Sequence, residues 1–298
     1  MRPLLAFGLA LCLLYPFTDG YRAMAAPPPS RLALTFDDLP LHGPLPDGTS
    51  AQEVARSITA TLKAKGVNYA YGYVNGALVD QSPDLVEPLR IWKSAGYTLG
   101  NHGWAHRSLD QLTAAEFAAE LRRNEPLLAG EPRSFRYPYL AEGRDPALRD
   151  AARKELAAQG YAIAPVSMDF ADWAYNAAYS RCMARNDTTA IARLEKAFLA
   201  DAEVAATYAR ANGMHLARHD MPQILLLHAG AFTARMLPRL LDLYAQMGFT
   251  YTTLDDALAD PIYASARNPA LPFEPASISA RPGALPKPPG TDLSGFCA

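Results

Sequence analysis

Seven short apolar runs alternate with helix-forming stretches between residue 31 and about residue 260, and no other feature of the sequence constrains the fold as strongly. The strand-like runs are residues 32–36, 69–74, 98–100, 134–137, 162–166, 224–227 and 249–252. Stretches rich in Ala, Leu, Glu and Arg lie between them, at residues 52–65, 83–95, 113–129, 145–159, 188–212 and 233–246. Because parallel strands are joined through crossover helices, the alternation predicts an α/β fold with a parallel sheet and outer helices. Seven strands would suit a barrel.

The two ends of the chain differ from this central part. Residues 1–25 have the features of a signal peptide, since Arg2 precedes the apolar run 4–14 and Ala23-Met24-Ala25 offers a cleavage site. That run is shorter than the about 20 apolar residues that span a bilayer, so no membrane span is expected in the mature chain. Residues 26–260 are predicted to form one domain, and the Pro-rich residues 261–298 an extended tail over it.

The predicted signal peptide implies a periplasmic or secreted protein, which bears on two cysteines. Cys182 and Cys297 remain after its removal. In an oxidising compartment two such cysteines often form a disulfide, which would fasten the tail to the domain. Two unpaired thiols are the alternative.

The charge of the chain excludes one class of partner. The formal net charge is −2 and the sequence contains no run of Lys or Arg. Nucleic-acid binding depends on basic patches, so it is not expected, and small or neutral molecules are the predicted partners.

Polar residues follow five of the predicted strands. They are Asp37 and Asp38 after the first, His102 after the third, Arg136 at the end of the fourth, Asp169 and Asp172 after the fifth, and His228 after the sixth. Since the carboxyl ends of the strands in a parallel barrel lie on one face, these residues are predicted to share one site.

The pair His102 and His106 indicates a metal site. Residues four apart on a helical turn point the same way, as two imidazoles must to bind one ion. Surface or capping histidines would show the same spacing, but the two acids at another strand end favour the metal. With Asp38 they would form a two-His, one-carboxylate site with positions open for water and substrate.

The other charged residues suggest general acid–base chemistry. Asp37 beside the metal site could act as a base, and Arg136 is a natural partner because a guanidinium can clamp a carboxylate bidentately. The alternative for Arg136 is an ordinary surface residue. His228 could be a hydrogen-bonded core histidine, or a catalytic acid whose pKa is raised by a carboxylate such as Asp172.

These residues resemble, in order, the five motifs of the polysaccharide deacetylase family (the NodB-homology domain, carbohydrate esterase family 4). The motifs are Thr35-Phe-Asp37-Asp38, Asn101-His-Gly-Trp-Ala-His106, Arg136-Tyr-Pro-Tyr139, Asp169-Phe-Ala-Asp172-Trp173 and Leu225-Leu-Leu-His228. The resemblance covers residue 31 to about residue 260 and implies a distorted (β/α)₇ barrel of the NodB-homology type.

The resemblance also implies roles for these residues. Asp37 would be the catalytic base, held by Arg136, and the metal ligands would be Asp38, His102 and His106. The ion would be Zn²⁺, or Co²⁺ or Ni²⁺. The implied reaction is metal-assisted hydrolysis of an N-acetyl group with release of acetate.

The remaining implied roles concern the leaving group and the acetyl pocket. The backbone N–H of Tyr139 would help to hold the oxyanion, and Trp173 would form a wall of the pocket. His228 would protonate the leaving amine and Asp172 would tune it.

Three departures from the family pattern stand out. Gly103 replaces the Ser or Thr that normally supports the loop after the first histidine, which puts metal affinity in doubt. Ala229 replaces an Asp beside His228. The stretch between Trp173 and Ile224 is longer than expected, and its residues 175–212 are a candidate for substrate specificity.

Two further histidine features are ambiguous. His42 follows the acid pair and could border the site, or be a plain loop residue. His215 and His219 repeat the four-residue spacing, but a solvated surface is favoured over a second metal site because Asp220 is the sole nearby acid.

Three functions are compatible with the sequence. The first is an N-deacetylase acting on an acetylated glycan such as peptidoglycan or chitin fragments. The second is an O-acetyl esterase on a polysaccharide such as xylan, or an amidase on a non-sugar amide. The third is a non-catalytic glycan-binding protein of the same fold, which predicts a missing base or ligand. None of Asp37, Asp38, His102, His106 or His228 is missing.

Overall fold

A computed structural model describes residues 29–298 and contains a seven-stranded sheet in which every pairing is parallel. The strands are β1 (Ser30–Leu39), β2 (Ala70–Val74), β3 (Thr98–Asn101), β4 (Ser134–Phe135), β5 (Ala162–Ile163), β6 (Gln223–His228) and β7 (Phe249–Tyr251). All seven coincide with predicted runs, which confirms the α/β fold with a parallel sheet. The predicted signal peptide lies outside the described residues.

β1 pairs with three other strands, β2, β6 and β7. The order is β5-β4-β3-β2-β1-β6, and β7 pairs with the start of β1. Beyond β5, Met168 forms a parallel bridge to Leu225 of β6, and the main-chain N–H of Leu226 donates to the carbonyl of Met168 at 3.0 Å. The chain therefore brings the two edges of the curled sheet together, as the predicted distorted barrel requires.

Helices surround the sheet. The longer ones are α1 (Ala51–Ala64), α3 (Val86–Ser94), α4 (Ala114–Asn124), α5 (Pro146–Ala158), α6 (Asp172–Ala184), α7 (Thr188–Ala217) and α8 (Ala231–Gln246). Short helices α2 (Ala77–Gln81), α9 (Leu254–Leu258) and α10 (Ala264–Arg267) complete the set among residues 29–298. Within the described residues no helix combines the length and the apolar character needed to cross a bilayer.

The sequence did not predict α6, and its buried face explains why. That face has helical spacing, but Asp172 and Asn176 lie on it together with Tyr175, Tyr179 and Cys182. An apolar stripe is the signal that identifies an amphipathic helix, and the two polar residues interrupt it. Helix α7 was predicted, but it continues to Ala217 rather than ending near residue 212.

The tail is less extended at its start than the sequence predicts. A 3-10 helix (Pro261–Tyr263) and α10 come first, and another 3-10 helix follows at Ile278–Ala280. Tyr263 and Ile278 are buried against the domain, and the carbonyl of Ala276 accepts a hydrogen bond from Val166. Cys182 of α6 and Cys297 are joined by a disulfide, so the predicted covalent link between tail and domain is confirmed.

Glu142 is a buried carboxyl group beneath the tail. Its Oε2 accepts a hydrogen bond from the main-chain N–H of Ala276 at 2.7 Å, whereas Oε1 has no partner among the residues described. Burial raises the pKa of Glu142 from 4.5 to about 7, although the Ala276 N–H and the nearby arginines oppose the change. The folded protein therefore holds this proton more tightly than the unfolded chain does.

We expect Glu142→Gln to remove part of the pH dependence of stability. Because the folded pKa is raised, the wild-type free energy of unfolding should fall as pH rises from 4.5 to about 7. The loss should approach about 3 kcal/mol, since one pKa unit corresponds to about 1.4 kcal/mol. Urea unfolding at pH 5 and pH 8 measures the difference. The prediction is wrong if the variant loses as much stability over this interval as the wild type.

Candidate active site

One cavity of about 290 Å³ opens at the carboxyl end of the sheet. Its lining comes from strand ends and the loops after them: Asp37, Asp38, His42, His102, His106, Tyr139, Leu140, Asp169, Trp173, Leu226 and His228. Parallel pairing of β1 with β6 places Asp37 directly opposite His228. The volume lies at the lower end of the about 300–1,000 Å³ typical of ligand pockets, so it suits one small group of a larger substrate.

Arg136 lies beneath this cavity and holds Asp37. The guanidinium is fully buried, and its Nη1 donates to Oδ1 of Asp37 and to Oγ1 of Thr35, each at 2.8 Å. The pairing is therefore through one nitrogen, not the bidentate clamp that the sequence suggested. The other guanidinium N–H groups face the carbonyls of Ala164 and Pro165, each at 3.4 Å. This arrangement leaves Oδ2 of Asp37 free to face the cavity.

Asp38, His102 and His106 converge on one point. Oδ1 of Asp38 is buried and has no hydrogen-bond partner in the described chain, while Nε2 of His106 and of His102 lie 3.2 and 3.6 Å from it. Nδ1–H of His102 donates to the carbonyl of Arg136 at 2.8 Å, so Nε2 carries its lone pair toward Asp38. An unpartnered carboxylate oxygen facing two imidazoles fits a divalent ion, and these three residues could hold one.

The electrostatics of Asp38 and His106 suit metal ligands. Burial alone would raise the pKa of Asp38, but the hydrogen bond from His42 and the neighbouring histidines hold it below its usual value. Burial lowers the pKa of His106 to about 4, against the opposing effect of Asp38. The carboxylate is therefore ionised and the imidazole neutral, which are the forms that bind metals.

The loop that carries the two histidines is not the helical turn that their spacing suggested. Residues 102–106 are irregular, and Gly103 and His106 have left-handed φ values of 73° and 52°. The N–H of Gly103 donates to Oδ1 of Asn101 at 3.0 Å, and Nδ2 of Asn75 donates to the carbonyls of His102 and Gly103 at 2.8 and 3.1 Å. Buried asparagines thus hold the loop where the family pattern has a hydroxyl side chain.

His228, which lines the cavity, is paired with the buried Asp172. Nδ1 of His228 donates to Oδ1 of Asp172 at 2.8 Å. Oδ2 of Asp172 accepts from the main-chain N–H of His228 and from Oγ1 of Thr233, each at 2.8 Å. Burial alone would lower the pKa of His228, but Asp172 outweighs it and raises the pKa to about 9. The sequence placed both residues at strand ends, and Asp172 proves to be the first residue of α6.

Two exposed aromatic residues flank the cavity. Tyr139 is 67% exposed and its ring lies 4.4 Å from that of His106. Trp173 is 51% exposed and also lines the cavity. Exposed rings at the mouth of a polar cavity offer apolar surface to a ligand, because they pack against its C–H groups.

Several residues around the site have strained backbones. The φ values of Asp38, His106 and Tyr139 are 61°, 52° and 60°, in the left-handed region that residues other than glycine rarely adopt. Each costs of the order of 1–3 kcal/mol and persists where the surrounding contacts fix it. Such strain is concentrated at functional sites in proteins, and here all three residues line one cavity.

Sequence reasoning assigned no role to three residues that support the site. Thr35 links Arg136 to the carbonyl of Leu225, which its hydroxyl bonds at 2.6 Å, and Thr233 bonds Asp172. Thr35 could have been found, because a hydroxyl in an apolar strand beside two acids needs a buried partner. Asn75 and Thr233 carry no such signal, because only the fold brings them to the site.

The second histidine pair, His215 and His219, does not line the cavity. His219 is exposed at the end of α7, and its Nε2 lies 2.7 Å from Oδ2 of Asp260. Over residues 29–298, the groups of residues that could hold a metal do not include His215 or His219. This agrees with the predicted solvated surface.

Known proteins of related sequence point to one family. Residues 25–163 match the family model described as polysaccharide deacetylase. A chitin deacetylase from Arthroderma benhamiae is 29% identical over 48% of this chain and 35% of its own length. A peptidoglycan-N-acetylglucosamine deacetylase from Bacillus cereus is 27% identical over 48% of this chain and 47% of its own length. The chain thus spans less than half the length of these relatives.

Solved structures share the fold at lower sequence identity. A chitin deacetylase from Colletotrichum lindemuthianum is 22% identical, with a TM-score of 0.50 over 78% of this chain and 89% of the other. The Xyl-CE4 domain of a multidomain xylanase from the hindgut metagenome of Trinervitermes trinervoides is 17% identical, with a TM-score of 0.51 over 80% of this chain and 94% of the other. A CE4 family pseudoenzyme from Bacillus anthracis is 16% identical, with a TM-score of 0.53 over 78% of this chain and 66% of the other.

The match over residues 25–163 contains the first three of the five sequence motifs, and the shared fold agrees with the curled parallel sheet. At these low identities the solved structures show the fold alone. The family model and the two sequence relatives show which family the sequence resembles. Over residues 25–163 the chain is similar to the polysaccharide deacetylase family.

Proposed function

We propose that this protein is a metal-dependent hydrolase that removes acetyl groups from N-acetylated amino sugars of a glycan, such as peptidoglycan or chitin fragments, and releases acetate. The observation that carries the proposal is the content of one cavity. A buried carboxylate held by Arg136, an unpartnered oxygen of Asp38 facing two imidazoles, and a histidine paired with Asp172 meet there. These are a base, a ligand set and an acid for amide hydrolysis.

The proposed metal ligands are Asp38, His102 and His106. Zn²⁺ is the preferred ion for two imidazoles and a carboxylate, with Co²⁺ or Ni²⁺ as alternatives. A divalent ion held there would supply Lewis acidity toward the carbonyl oxygen of the acetyl group.

Asp37 is the proposed base. Its Oδ1 is occupied by Arg136, so Oδ2, which lies 3.6 Å from Nε2 of His102, is the oxygen that can take a proton from the attacking water. The buried guanidinium keeps the carboxylate in place while the proton transfers. The main-chain N–H of Tyr139 is the proposed donor to the oxyanion as the acetyl carbon becomes tetrahedral.

His228 is the proposed acid. The bond from its Nδ1 to Asp172 leaves Nε2 as the nitrogen that can give a proton to the leaving amine. Asp172 fixes the ring and stabilises the protonated form, so the acid is charged near neutral pH. Trp173 and Tyr139 would contact the sugar rings on either side of the reacting acetyl group.

The proposed location is outside the cytoplasm, in the periplasm or secreted. A disulfide between Cys182 and Cys297 suits an oxidising compartment, and the first 25 residues have the sequence of a signal peptide.

We expect the zinc-loaded protein to release acetate from N-acetylglucosamine oligomers or from peptidoglycan fragments. A chelator should abolish the activity and added Zn²⁺ should restore it, because the ion supplies the Lewis acid. The panel should also contain acetylated xylan and a simple acetamide. Acetate from xylan alone would indicate an O-acetyl esterase, and from the acetamide alone a non-sugar amidase. The absence of acetate from every substrate would indicate a glycan-binding protein without catalysis.

A further inference from the structure

His42 lies four residues after Asp38 and is fixed on four sides. Its main-chain N–H donates to the carbonyl of Ala229 at 2.9 Å, and its own carbonyl accepts from Nδ2 of Asn176 at 3.1 Å. Its Nδ1 lies 2.6 Å from Oδ2 of Asp38, and its Nε2 lies 3.3 Å from the carbonyl of Trp173. A plain loop histidine would not be held by three separate parts of the chain.

The contact with His42 gives the two carboxylate oxygens of Asp38 different surroundings. Since an ionised carboxylate can only accept, Nδ1–H of His42 donates to Oδ2. The other oxygen, Oδ1, is left without a partner among residues 29–298 and faces His102 and His106. The backbone of Asp38 is left-handed, with φ 61°, so the regular geometry of the strand does not by itself orient this side chain.

We infer that His42 is a positioning residue that orients Asp38 for metal binding, and that helix α6 holds His42 in place. This inference rests on the proposed function, because it takes Asp38, His102 and His106 as the ligands. A partner that fixes the second oxygen of a ligating carboxylate limits its rotation and raises the affinity of the site.

The role of α6 follows from Asn176, which is 1% exposed. Its Nδ2 donates to the carbonyls of His42 and Pro44 at 3.1 and 2.9 Å, and its Oδ1 accepts from the N–H of Phe232 at 3.0 Å. Packing around it is tight, since a Cβ at Gly43 would lie 2.7 Å from Nδ2. The first helix of the long stretch between Trp173 and Ile224 therefore supports the loop that contacts Asp38.

The distance argues against His42 as a metal ligand itself. Asp38, His42 and His228 also form a group of possible ligands, with their donor atoms within 4.8 Å of one another. Two donors on one tetrahedral zinc, each about 2.1 Å from it, lie roughly 3.4 Å apart. Nδ1 of His42 is only 2.6 Å from Oδ2 of Asp38, which is a hydrogen-bond distance.

The inference is tested by metal affinity, not by turnover. Apo protein is titrated with Zn²⁺ against a chromophoric chelator, and with Co²⁺ while its visible spectrum is recorded. His42→Ala should weaken binding by about 10- to 100-fold and change the Co²⁺ spectrum, as loss of a ligand's supporting contact does. His42→Asn should recover most of the affinity, because its amide N–H can replace Nδ1–H. Asn176→Ala should weaken binding less than His42→Ala.

Controls separate this inference from the proposed function. The exposed His215→Ala removes an imidazole elsewhere and should bind as the wild type does, and circular dichroism of each apo variant checks folding. Wild-type affinity in both His42 variants would overturn the positioning role alone. A stoichiometry of two ions that falls to one in His42→Ala would also overturn it, by making His42 a ligand. Wild-type affinity in Asp38→Ala would instead overturn the proposed ligand set and this inference with it.

Discussion

Asp37→Asn should reduce acetate release by a factor of about 10²–10⁴ while the metal stays bound. A positioned general base contributes about this much to a rate, and an amide cannot take the proton. The substitution leaves an oxygen that can still accept from Nη1 of Arg136, and Asp38 with its two histidines is unchanged. The variant should therefore keep the metal content of the wild type while its turnover falls.

Loss of structure must be distinguished from loss of the base. Arg136 is fully buried, and removing the charge of its partner leaves a guanidinium without full compensation, which can destabilise the protein by several kcal/mol. Turnover is therefore compared below the melting temperature of each variant, with metal measured by elemental analysis. Asp47→Asn, which changes an exposed aspartate in the loop after β1, is the matched control and should keep normal turnover. Normal turnover by Asp37→Asn would remove Asp37 as the base.

The sequence was sufficient to predict the sheet because the strands are buried and bounded by helices. Parallel strands covered on both faces need continuous apolar runs, and the run at residues 224–227 has this character on a strand whose first five residues are buried. The carboxyl ends of such strands meet on one face, so Asp37 and His228 could be expected together before any distance was known.

The backbone geometry of the site loops was harder to predict than the position of the site residues in the fold. The spacing of His102 and His106 suggested a helical turn, yet their loop is irregular because Gly103 and His106 adopt left-handed backbones. A four-residue spacing is compatible with several loop shapes. Which of them forms is decided by tertiary hydrogen bonds such as that from Asn75 to the carbonyl of His102.

Polar residues on buried helix faces were the main source of error. Asn176 and Asp172 make α6 look like a loop in the sequence, although each is 1% exposed and bonded to the site. A buried polar group is stable only with its partners, and the partners of these two lie about 130 and 56 residues away in the chain. No pattern within the helix indicates the partners of Asn176, whereas the pairing of Asp172 with His228 was expected from their placement at strand ends.

The second large effect is expected from Asp172→Asn, which should move the alkaline limb of the pH–rate profile to lower pH. As the proposed acid, His228 must be protonated, so activity falls as pH rises through its pKa. Asp172 raises that pKa to about 9. Without the negative charge of Asp172, burial remains the largest influence on the pKa of His228 and disfavours the imidazolium, while Asp38 and Asp37 exert smaller opposing effects. The pKa should therefore fall well below about 9.

At pH 8 the variant should therefore be about 10²- to 10⁴-fold slower than the wild type, because most of its His228 is neutral. Near pH 5.5 the deficit should shrink as the imidazolium is restored. The measurement is kcat/KM between pH 5 and pH 10, with metal content checked in parallel. Thr233→Val is the matched control, because it removes a hydrogen bond to Oδ2 of Asp172 but leaves the negative charge. The alkaline limb of its pH–rate profile should stay close to that of the wild type. An Asp172→Asn profile that is lower at every pH by one constant factor would mean that Asp172 supports the structure without tuning the acid.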